Sequence, residues 1–324
     1  MSKINLSHGN GASETADLID SVFMKYFKNK YSLMEDSAVL PFTGEKLAFT
    51  TDSFVVKPLF FPGGDIGRLA VCGTINDLLT TGGKPLYLSA SFIIEENTEF
   101  ETIEKIVKSM RETAKESNVF IVTGDTKVIE GNGGIYINTS GIGTAGNLSL
   151  YNIKSGDVIL INGTLGDHHA CILSQRMKIK NNIKSDAAPL TEIINLLLEN
   201  NIKIRGLRDI TRGGLATVLN EAAEMSKLSV EIDETSLPVS EEVNGFCKIL
   251  GLDPLYMGNE GKMMFVVQKE YANKALNIIK NCKYGENSAI IGRFITGSGV
   301  VLNTKIGGQR KLPPLSGEGL PRIC

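Results

Sequence analysis

Hydrophobic residues recur at helical spacing along much of the chain. Residues 14–29, "ETADLIDSVFMKYFKN", place their apolar side chains on one face, and Ser13 stands where a helix cap is expected. This pattern predicts an amphipathic helix. Similar spacing predicts further helices at about 65–81, 99–117, 167–177, 189–200 and 213–227.

Short runs rich in β-branched and aromatic residues alternate with these helices. In the first half they are "KLAFT", "LYLSASFII", "VFIVTG" and "GIYINTSGIG", and in the second they are "VILING" and the stretches near 263–267 and 289–302. A polar turn, "GNLSLYNIKSGD", separates the two series. The pattern predicts a mixed α/β fold with two domains, residues 1–150 and 151–306.

The last stretch, "GGQRKLPPLSGEGLPRIC", has little apolar periodicity and contains diglycine and diproline breakers. We expect residues 307–324 to form a flexible tail that carries Cys324. From Gly308 such a tail would span roughly 50 Å when extended and about 20–25 Å as a flexible coil. The thiol could therefore reach a site on the body of the protein or on a partner.

Composition narrows the functional classes. The chain is 42% hydrophobic and 22% charged, and its net charge of −2 comes from 34 basic and 36 acidic residues without a basic block. Nucleic acid is therefore not an expected partner. The chain also lacks a signal-like start and a long apolar run, so we expect a cytoplasmic protein with no membrane partner.

The five cysteines are scattered and form no Cys-x-x-Cys pair or zinc-type spacing. Four of them lie in apolar stretches, and we expect these to be buried as small hydrophobic residues: Cys72, Cys171, Cys247 and Cys282. Cys324 is the exception. The adjacent His168 and His169 point about 100° apart on a helix, so we expect them to pack in its first turn rather than to chelate one metal.

Four aspartates stand at the ends of predicted elements: Asp36, Asp52, Asp77 and Asp125. If they converge, their hard oxygen ligands could hold Mg²⁺ on the phosphates of a nucleotide. Each one taken alone is better explained as a helix cap or a turn residue.

Three other charged residues are candidates for a chemical role. Lys127, two residues beyond Asp125, could neutralise a transferring phosphoryl group. Arg212 lies in "DITRGGLA", which could present a guanidinium and backbone amides to an anion, or could simply cap a helix. Glu260, in the turn "GNEGKMMFVV", is either a solvated turn residue or a general base.

The chain resembles one family in a series of motifs. In order along the sequence they are "TDSFVVKPLFFPGGDIGRLAVCGTINDLLTTGGKPLYLS" (51–89), "TGDTKV" (123–128), "GDH" (166–168), "DITRGGLA", "NEGK" (259–262) and the final "PRIC". It is the hydrogenase maturation carbamoyl dehydratase (HypE) family. That family lies within the wider superfamily of aminoimidazole ribonucleotide synthetase. The match covers nearly the whole chain, and "PRIC" separates this family from the other superfamily members.

The resemblance implies a two-domain fold of the aminoimidazole ribonucleotide synthetase type. An N-terminal ATP-binding and dimerisation domain pairs its sheet with that of a second subunit into a β-barrel, and ATP and Mg²⁺ bind at the associated cleft. The implied nucleotide-binding residues are Asp36, Asp52, Asn76, Asp77, Asp125, Thr126, Lys127 and Arg212, and the aspartates among them are the implied metal ligands.

The resemblance also implies a reaction on Cys324. A separate carbamoyltransferase loads this thiol, ATP drives loss of water from the S-carboxamide to give an S-cyanide, and an iron-carrying scaffold accepts the cyanide for the [NiFe] hydrogenase. In this reading Cys324, Lys127 and Glu260 are catalytic. Two alternatives stay open: another ATP-dependent superfamily enzyme acting on a free small molecule, and a nucleotide-sensing module whose tail docks on a partner.

Overall fold

The structure is a computed structural model and describes residues 3–9, 13–31, 38 and 40–315. Two residues with predicted roles, Asp36 and Cys324, lie outside this part of the chain. The helices are α1 (Ser13–Leu18), which continues through a π-helical segment (Ile19–Phe23) into α2 (Met24–Phe27), then α3 (Ile66–Leu79), α4 (Phe100–Glu116), α5 (Asp167–Arg176), α6 (Thr191–Glu199), α7 (Gly214–Ser226), α8 (Glu241–Leu250) and α9 (Ala272–Lys280).

The strands are β1 (Leu47–Phe54), β2 (Phe60–Phe61), β3 (Gly64–Asp65), β4 (Pro85–Glu95), β5 (Phe120–Ile129), β6 (Ile135–Thr144), β7 (Val158–Ile161), β8 (Ile204–Asp209), β9 (Ser229–Asp233), β10 (Met263–Val267), β11 (Ala289–Ile295), β12 (Gly299–Asn303) and β13 (Gln309–Lys311). Short 3-10 turns connect several of these elements.

The first half of the chain forms a four-stranded sheet in the order β1-β6-β4-β5 within the described residues. Helix α3 packs on one face of this sheet and against α4. It is apolar around nearly its whole circumference and almost entirely buried, as a helix covered on all sides must be. Asp65 caps it by accepting the backbone N–H groups of Gly67 (2.7 Å) and Arg68 (3.1 Å).

The second half forms a seven-stranded sheet in the order β13-β12-β9-β11-β7-β10-β8, again counted over the described residues. Strand β10, which lies between β7 and β8, is buried at every position, and this explains the unbroken apolar run "MMFVV". Helix α7 packs against β9 and β12. A core cluster shared by both halves joins α3 and α4 to α5, α6 and α9.

Specific hydrogen bonds tie the two halves together. Arg68 of α3 donates from Nε to the carbonyl of Ala187 (2.7 Å) and from Nη2 to the hydroxyl of Tyr284 (3.0 Å). The backbone N–H of Ser185 donates to the carbonyl of Pro62 (2.7 Å). These contacts place the segment 185–190 of the second half directly against the first half.

The structure confirms the mixed α/β fold and the helices and strands predicted from periodicity. The buried Cys72, Cys171, Cys247 and Cys282 are also confirmed, as is the burial of His168 and His169 in the first turn of α5. The elements β2, β3, β8, β9, α8 and α9 were not predicted. The barrel across a dimer requires a second chain and stays a prediction.

Residues 309–312, which were predicted to belong to the flexible tail, are part of the second domain. Residues Gln309–Lys311 form β13, which extends the second sheet by pairing with β12. Leu312 is 1% exposed, and its carbonyl accepts a hydrogen bond from Asn220 of α7 (2.8 Å). A free edge on β12 and one buried leucine thus order a segment that has no periodicity of its own.

Among the described helices, none is both long enough and apolar enough to cross a membrane.

Candidate functional site

Four carboxylates from both halves of the chain face one another at the junction of the two domains. Asp52 lies on β1 and Asp77 on α3, whereas Asp209 ends β8 and Glu260 lies in the turn before β10. All four are half-buried. Thr50 of β1 donates a hydrogen bond to Asp77 (2.8 Å), which fixes this carboxylate against the sheet.

Burial raises the pKa of each of these four groups, and repulsion from other carboxylates of the cluster raises the pKa of Asp52, Asp77 and Glu260 further. Burial is the largest cause for Asp77, whose pKa rises to about 6, and the charges of Asp209 and Asp52 add to the rise. Burial also raises the pKa of Asp52 and of Asp209. For Glu260 burial raises the pKa well above its usual value, and nearby carboxylates raise it further. Such shifts are typical of sites that bind cations or transfer protons.

The exposed Arg212 supplies positive charge beside these carboxylates. Its charge lowers the pKa of both Asp52 and Glu260, and so opposes part of the rise that burial and the neighbouring carboxylates cause. Arg212 precedes Gly213 and Gly214, which both adopt positive φ values (78° and 63°) where α7 begins. A side chain at Gly214 would also meet the backbone of Tyr256 at 2.6 Å. The "DITRGG" turn therefore needs both glycines to bring Arg212 to the site.

A buried ion pair holds the turn that carries Glu260. Lys262 Nζ lies 3.2 Å from Asp186 Oδ2, and the two side chains are only 9% and 4% exposed. Asn259 is fully buried, accepts the backbone N–H of Gly166 (2.8 Å) and donates to the carbonyl of Ile210 (3.0 Å). Asn259 and Lys262 of "NEGK" thus fix the geometry of the turn that carries Glu260.

Asp125 and Lys127 lie away from this cluster in the single chain. Asp52 is paired with Thr139 on the neighbouring strand β6, and the hydroxyl of Thr139 donates to a carbonyl of α3, so both side chains lie on the face that α3 covers. Asp125 is paired with Ser91 of β4, which lies one residue further along the sheet than the partner of Thr139. Side chains one residue apart along a strand point to opposite faces of the sheet. Asp125 and Lys127 therefore project from the face opposite α3, bonded to each other at 2.9 Å and 59% and 63% exposed. Their strand lies three strand spacings, roughly 14 Å, from β1.

Two residues that were predicted to bind the nucleotide, Asn76 and Thr126, do not face the carboxylate cluster. Asn76 is buried, with its amide hydrogen-bonded to the backbone at Ala188 and Leu190, so it joins the domains rather than facing an open site. Thr126 shares its row with the buried Phe92, which places it on the core side of the sheet. Its backbone N–H donates to Asp125 (2.9 Å).

Sequence reasoning missed Asp186 and Lys262 and gave Asp209 no separate role. Asp209 opens "DITRGGLA" and Lys262 closes "NEGK", so both motifs contained a second functional side chain. Asp186 lies in an irregular segment with no periodicity, and only its contacts with a turn 74 residues away reveal it.

The carboxylates present suit a magnesium–nucleotide complex better than a cation bound by protein alone. No three His, Cys, Asp or Glu side chains within the described ranges could hold a metal ion together. Mg²⁺ commonly takes one or two carboxylates and completes its shell with water and substrate phosphates. Asp52 and Asp77, with pKa values raised partly by like charges, meet that requirement.

Comparison with known proteins identifies the family of the chain. Residues 34–145 match the family described as AIR synthase related protein, N-terminal domain, and residues 154–305 match the corresponding C-terminal domain. The chain is 43% identical to carbamoyl dehydratase HypE of Rhodobacter capsulatus over 337 residues, which cover 99% of this chain and 98% of the relative.

Solved structures show the same relationship. The crystal structure of the hydrogenase maturation protein HypE in complex with ATP is 42% identical, has a TM-score of 0.94 and covers 98% of this chain and 99% of its own. The HypE chain of a HypE–HypF complex is 48% identical with a TM-score of 0.81, covering 92% of this chain and 99% of its own. The chain therefore belongs to the carbamoyl dehydratase HypE family.

Proposed function

We propose that this protein is an ATP-dependent carbamoyl dehydratase that converts an S-carboxamide on Cys324 into an S-cyanide for the iron of [NiFe] hydrogenase. The proposal is supported by full-length relatives named carbamoyl dehydratase and by the relative crystallised with ATP. In this chain it depends above all on one observation: Glu260, a carboxylate with a strongly raised pKa, faces Asp52, Asp209 and Arg212 at the domain junction.

The reaction requires removal of a poor leaving group. The carboxamide oxygen first attacks the γ-phosphorus of ATP and releases ADP, and the C–O bond then breaks to release phosphate while the nitrogen loses its protons. The carboxamide oxygen thus leaves in the phosphate, and the carbon is left triply bonded to nitrogen. Bound Mg²⁺ would offset charge on the phosphates.

Each side chain has a proposed task in this sequence. Asp52 and Asp77 would hold Mg²⁺, and Arg212 would contact the nucleotide phosphates. Glu260 would take a proton from the carboxamide nitrogen, a role suited to a carboxylate whose raised pKa makes it a better base. Lys127 would neutralise the transferring phosphoryl group.

Lys127 and Asp125 can take part only if they meet the cluster from another direction, because they project from the opposite face of their own sheet. A homodimer in which this face packs against a second copy would bring them toward the partner's site. The face carries apolar side chains that are exposed in the single chain, including Phe49 (64%) and Ile93 (44%). These observations support the proposed dimer.

The end of the described chain supports Cys324 as the substrate carrier. The backbone N–H of Leu315 lies 3.5 Å from the hydroxyl of Thr217, in the first turn of α7. This turn begins at Gly214, two residues after Arg212 of the site. Cys324 lies nine positions beyond Leu315 in the sequence, and an extended chain of that length spans about 30 Å.

Two partners are implied by this chemistry. A carbamoyltransferase must load Cys324, and the relative solved as a HypE–HypF complex supports such a pairing. An iron-carrying scaffold must then accept the cyanide. A thiol on a tail can meet both partners and the ATP site in turn.

The test is the intact mass of the protein after loading by the carbamoyltransferase and again after addition of Mg·ATP, compared between wild type and Cys324→Ser. We expect an ATP-dependent loss of one water, about 18 Da, in the wild type alone. A loaded wild type that binds ATP and keeps its water would contradict the proposal and favour a nucleotide-sensing module. Full turnover of a small molecule after deletion of residues 321–324 would favour another superfamily enzyme.

A further inference from the structure

The carboxylate of Asp186 contacts three consecutive residues of the turn that carries Glu260. Its Oδ1 accepts the backbone N–H of Glu260 (3.2 Å), and its Oδ2 accepts that of Gly261 (3.3 Å) and pairs with Lys262 Nζ (3.2 Å). A single side chain, 74 residues away in sequence, therefore fixes the backbone of the turn at the position of Glu260.

The backbones of the two segments also lie unusually close together. A side chain at Gly261 would meet the carbonyl oxygen of Asp186 at 2.0 Å, closer than any real Cβ contact. Only glycine permits this approach. The backbone N–H of Ala188 points to the carbonyl of Glu260 (3.5 Å), so both chains contribute to the contact.

The segment that carries Asp186 is itself fixed by the other domain. Asn76 of α3 donates to the carbonyl of Ala188 (3.0 Å) and accepts the N–H of Leu190 (3.0 Å). Asn76 precedes Asp77, one of the proposed magnesium ligands. A short chain of hydrogen bonds thus connects the helix that holds Asp77 to the turn that holds Glu260.

The burial of this ion pair indicates a geometric role. An ion pair with both side chains less than 10% exposed gains little net stability over apolar side chains of the same size, because both charges must lose their water. What the pair offers is a defined position for each of its atoms. Loss of one partner would leave a buried charge without compensation.

We propose that Asp186 is a positioning residue that sets Glu260 in register with Asp52 and Asp77 across the domain junction. The proposal rests on the dehydratase function proposed above, in which Glu260 is the base. Misplacement of a catalytic group by about 1 Å can reduce a rate about a hundredfold. Asp186 therefore controls the rate of dehydration without touching the substrate.

The test uses three forms of the full chain, each loaded with the carbamoyl group on Cys324: wild type, Asp186→Asn and the double variant Asp186→Asn/Lys262→Met. The double variant removes both charges, so no buried charge is left unpaired, and we expect this variant to fold. Single-turnover loss of water is followed by intact mass over a range of ATP concentrations. We expect the maximal rate to fall about tenfold to a hundredfold in both variants, with the half-saturating ATP concentration within about twofold of wild type.

Asp157→Asn is the matched control. Asp157 is also buried (5% exposed), accepts a backbone N–H from Lys154 (2.7 Å) and pairs with Arg205 (3.3 Å). It stabilises a different turn of the same domain. We expect this variant to keep the wild-type rate of dehydration.

A second measurement is independent of the reaction. Hydrogen exchange at the backbone amides of Glu260 and Gly261 should accelerate at least tenfold in the double variant and stay unchanged in Asp157→Asn. Wild-type exchange or a wild-type maximal rate in the folded double variant would overturn the proposal, as would an effect on half-saturating ATP alone. A wild type that loses no water would contradict the dehydratase function instead, and the exchange measurement would still decide whether Asp186 positions the turn.

Discussion

Asn76 of α3 binds the backbone on both sides of Pro189, with its amide nitrogen 3.0 Å from the carbonyl of Ala188 and its amide oxygen 3.0 Å from the nitrogen of Leu190. A helix of the first domain thus holds an irregular segment of the second. The site at the junction depends on this contact, because the same segment supports the turn of Glu260.

Asn76→Ala should destabilise the protein by about 2–4 kcal/mol, since it leaves two buried backbone groups without partners. Urea denaturation measures this free energy of unfolding. Asn200→Ala is the control, because the exposed Asn200 also bonds a backbone carbonyl, that of Leu196 (2.9 Å). It should change the stability by less than about 0.5 kcal/mol. Equal effects in the two variants would contradict the bridging role.

Lys127→Ala should leave stability within about 0.5 kcal/mol of wild type, because Lys127 and its partner Asp125 are largely exposed. Dehydration on Cys324 should nevertheless fall at least about a hundredfold, because a charge near the phosphoryl group is lost. Intact mass after addition of Mg·ATP measures the reaction. Lys105→Ala removes a similarly exposed partner of Glu101 in α4 and should retain full activity. A normal rate in Lys127→Ala would remove Lys127 from the mechanism.

Glu260→Gln should bind ATP and fail to dehydrate. The folded state raises the pKa of Glu260, so it binds the proton more tightly than the unfolded state does. As pH rises above the pKa that Glu260 has in the unfolded state, its ionisation therefore lowers the free energy of unfolding. The glutamine variant lacks this loss and should gain stability relative to wild type as pH rises above about 4.3, the ordinary pKa of glutamate. Urea titrations across this range test the sign, and normal dehydration by the variant would exclude Glu260 as the base.

His169→Leu should reduce the sensitivity of the protein to acid. Burial lowers the pKa of His169 to about 4, so between about pH 6.5 and pH 4 the unfolded state binds a proton that the folded state does not. Stability contributed by the neutral ring is present above pH 6.5 and is lost as pH falls through this window. The difference in unfolding free energy should therefore shift in favour of the leucine variant as pH falls. A pH-independent difference would contradict the lowered pKa.

The sequence was sufficient to predict those helices and strands that depend on residues close together along the chain. Helices α3 and α4 were predicted because their apolar residues repeat at helical spacing, and β10 was predicted as a strand near residues 263–267. The motifs "DITRGGLA" and "NEGK" contained Arg212 and Glu260, both of which the structure places at the domain junction. The short elements β8, β9, α8 and α9 were missed in the irregular regions between longer patterns.

The sequence by itself determined the two α/β halves, the family and most of the charged residues of the site. Only the tertiary structure decided which of them meet. The register of β4 with β5 puts Asp125 and Lys127 on the face opposite Asp52, a result that no spacing along one strand can predict. The contact of Asp186 with Glu260 joins segments 74 residues apart. Such pairings are set by how elements pack over the whole domain, whereas periodicity reports only the environment of each element separately.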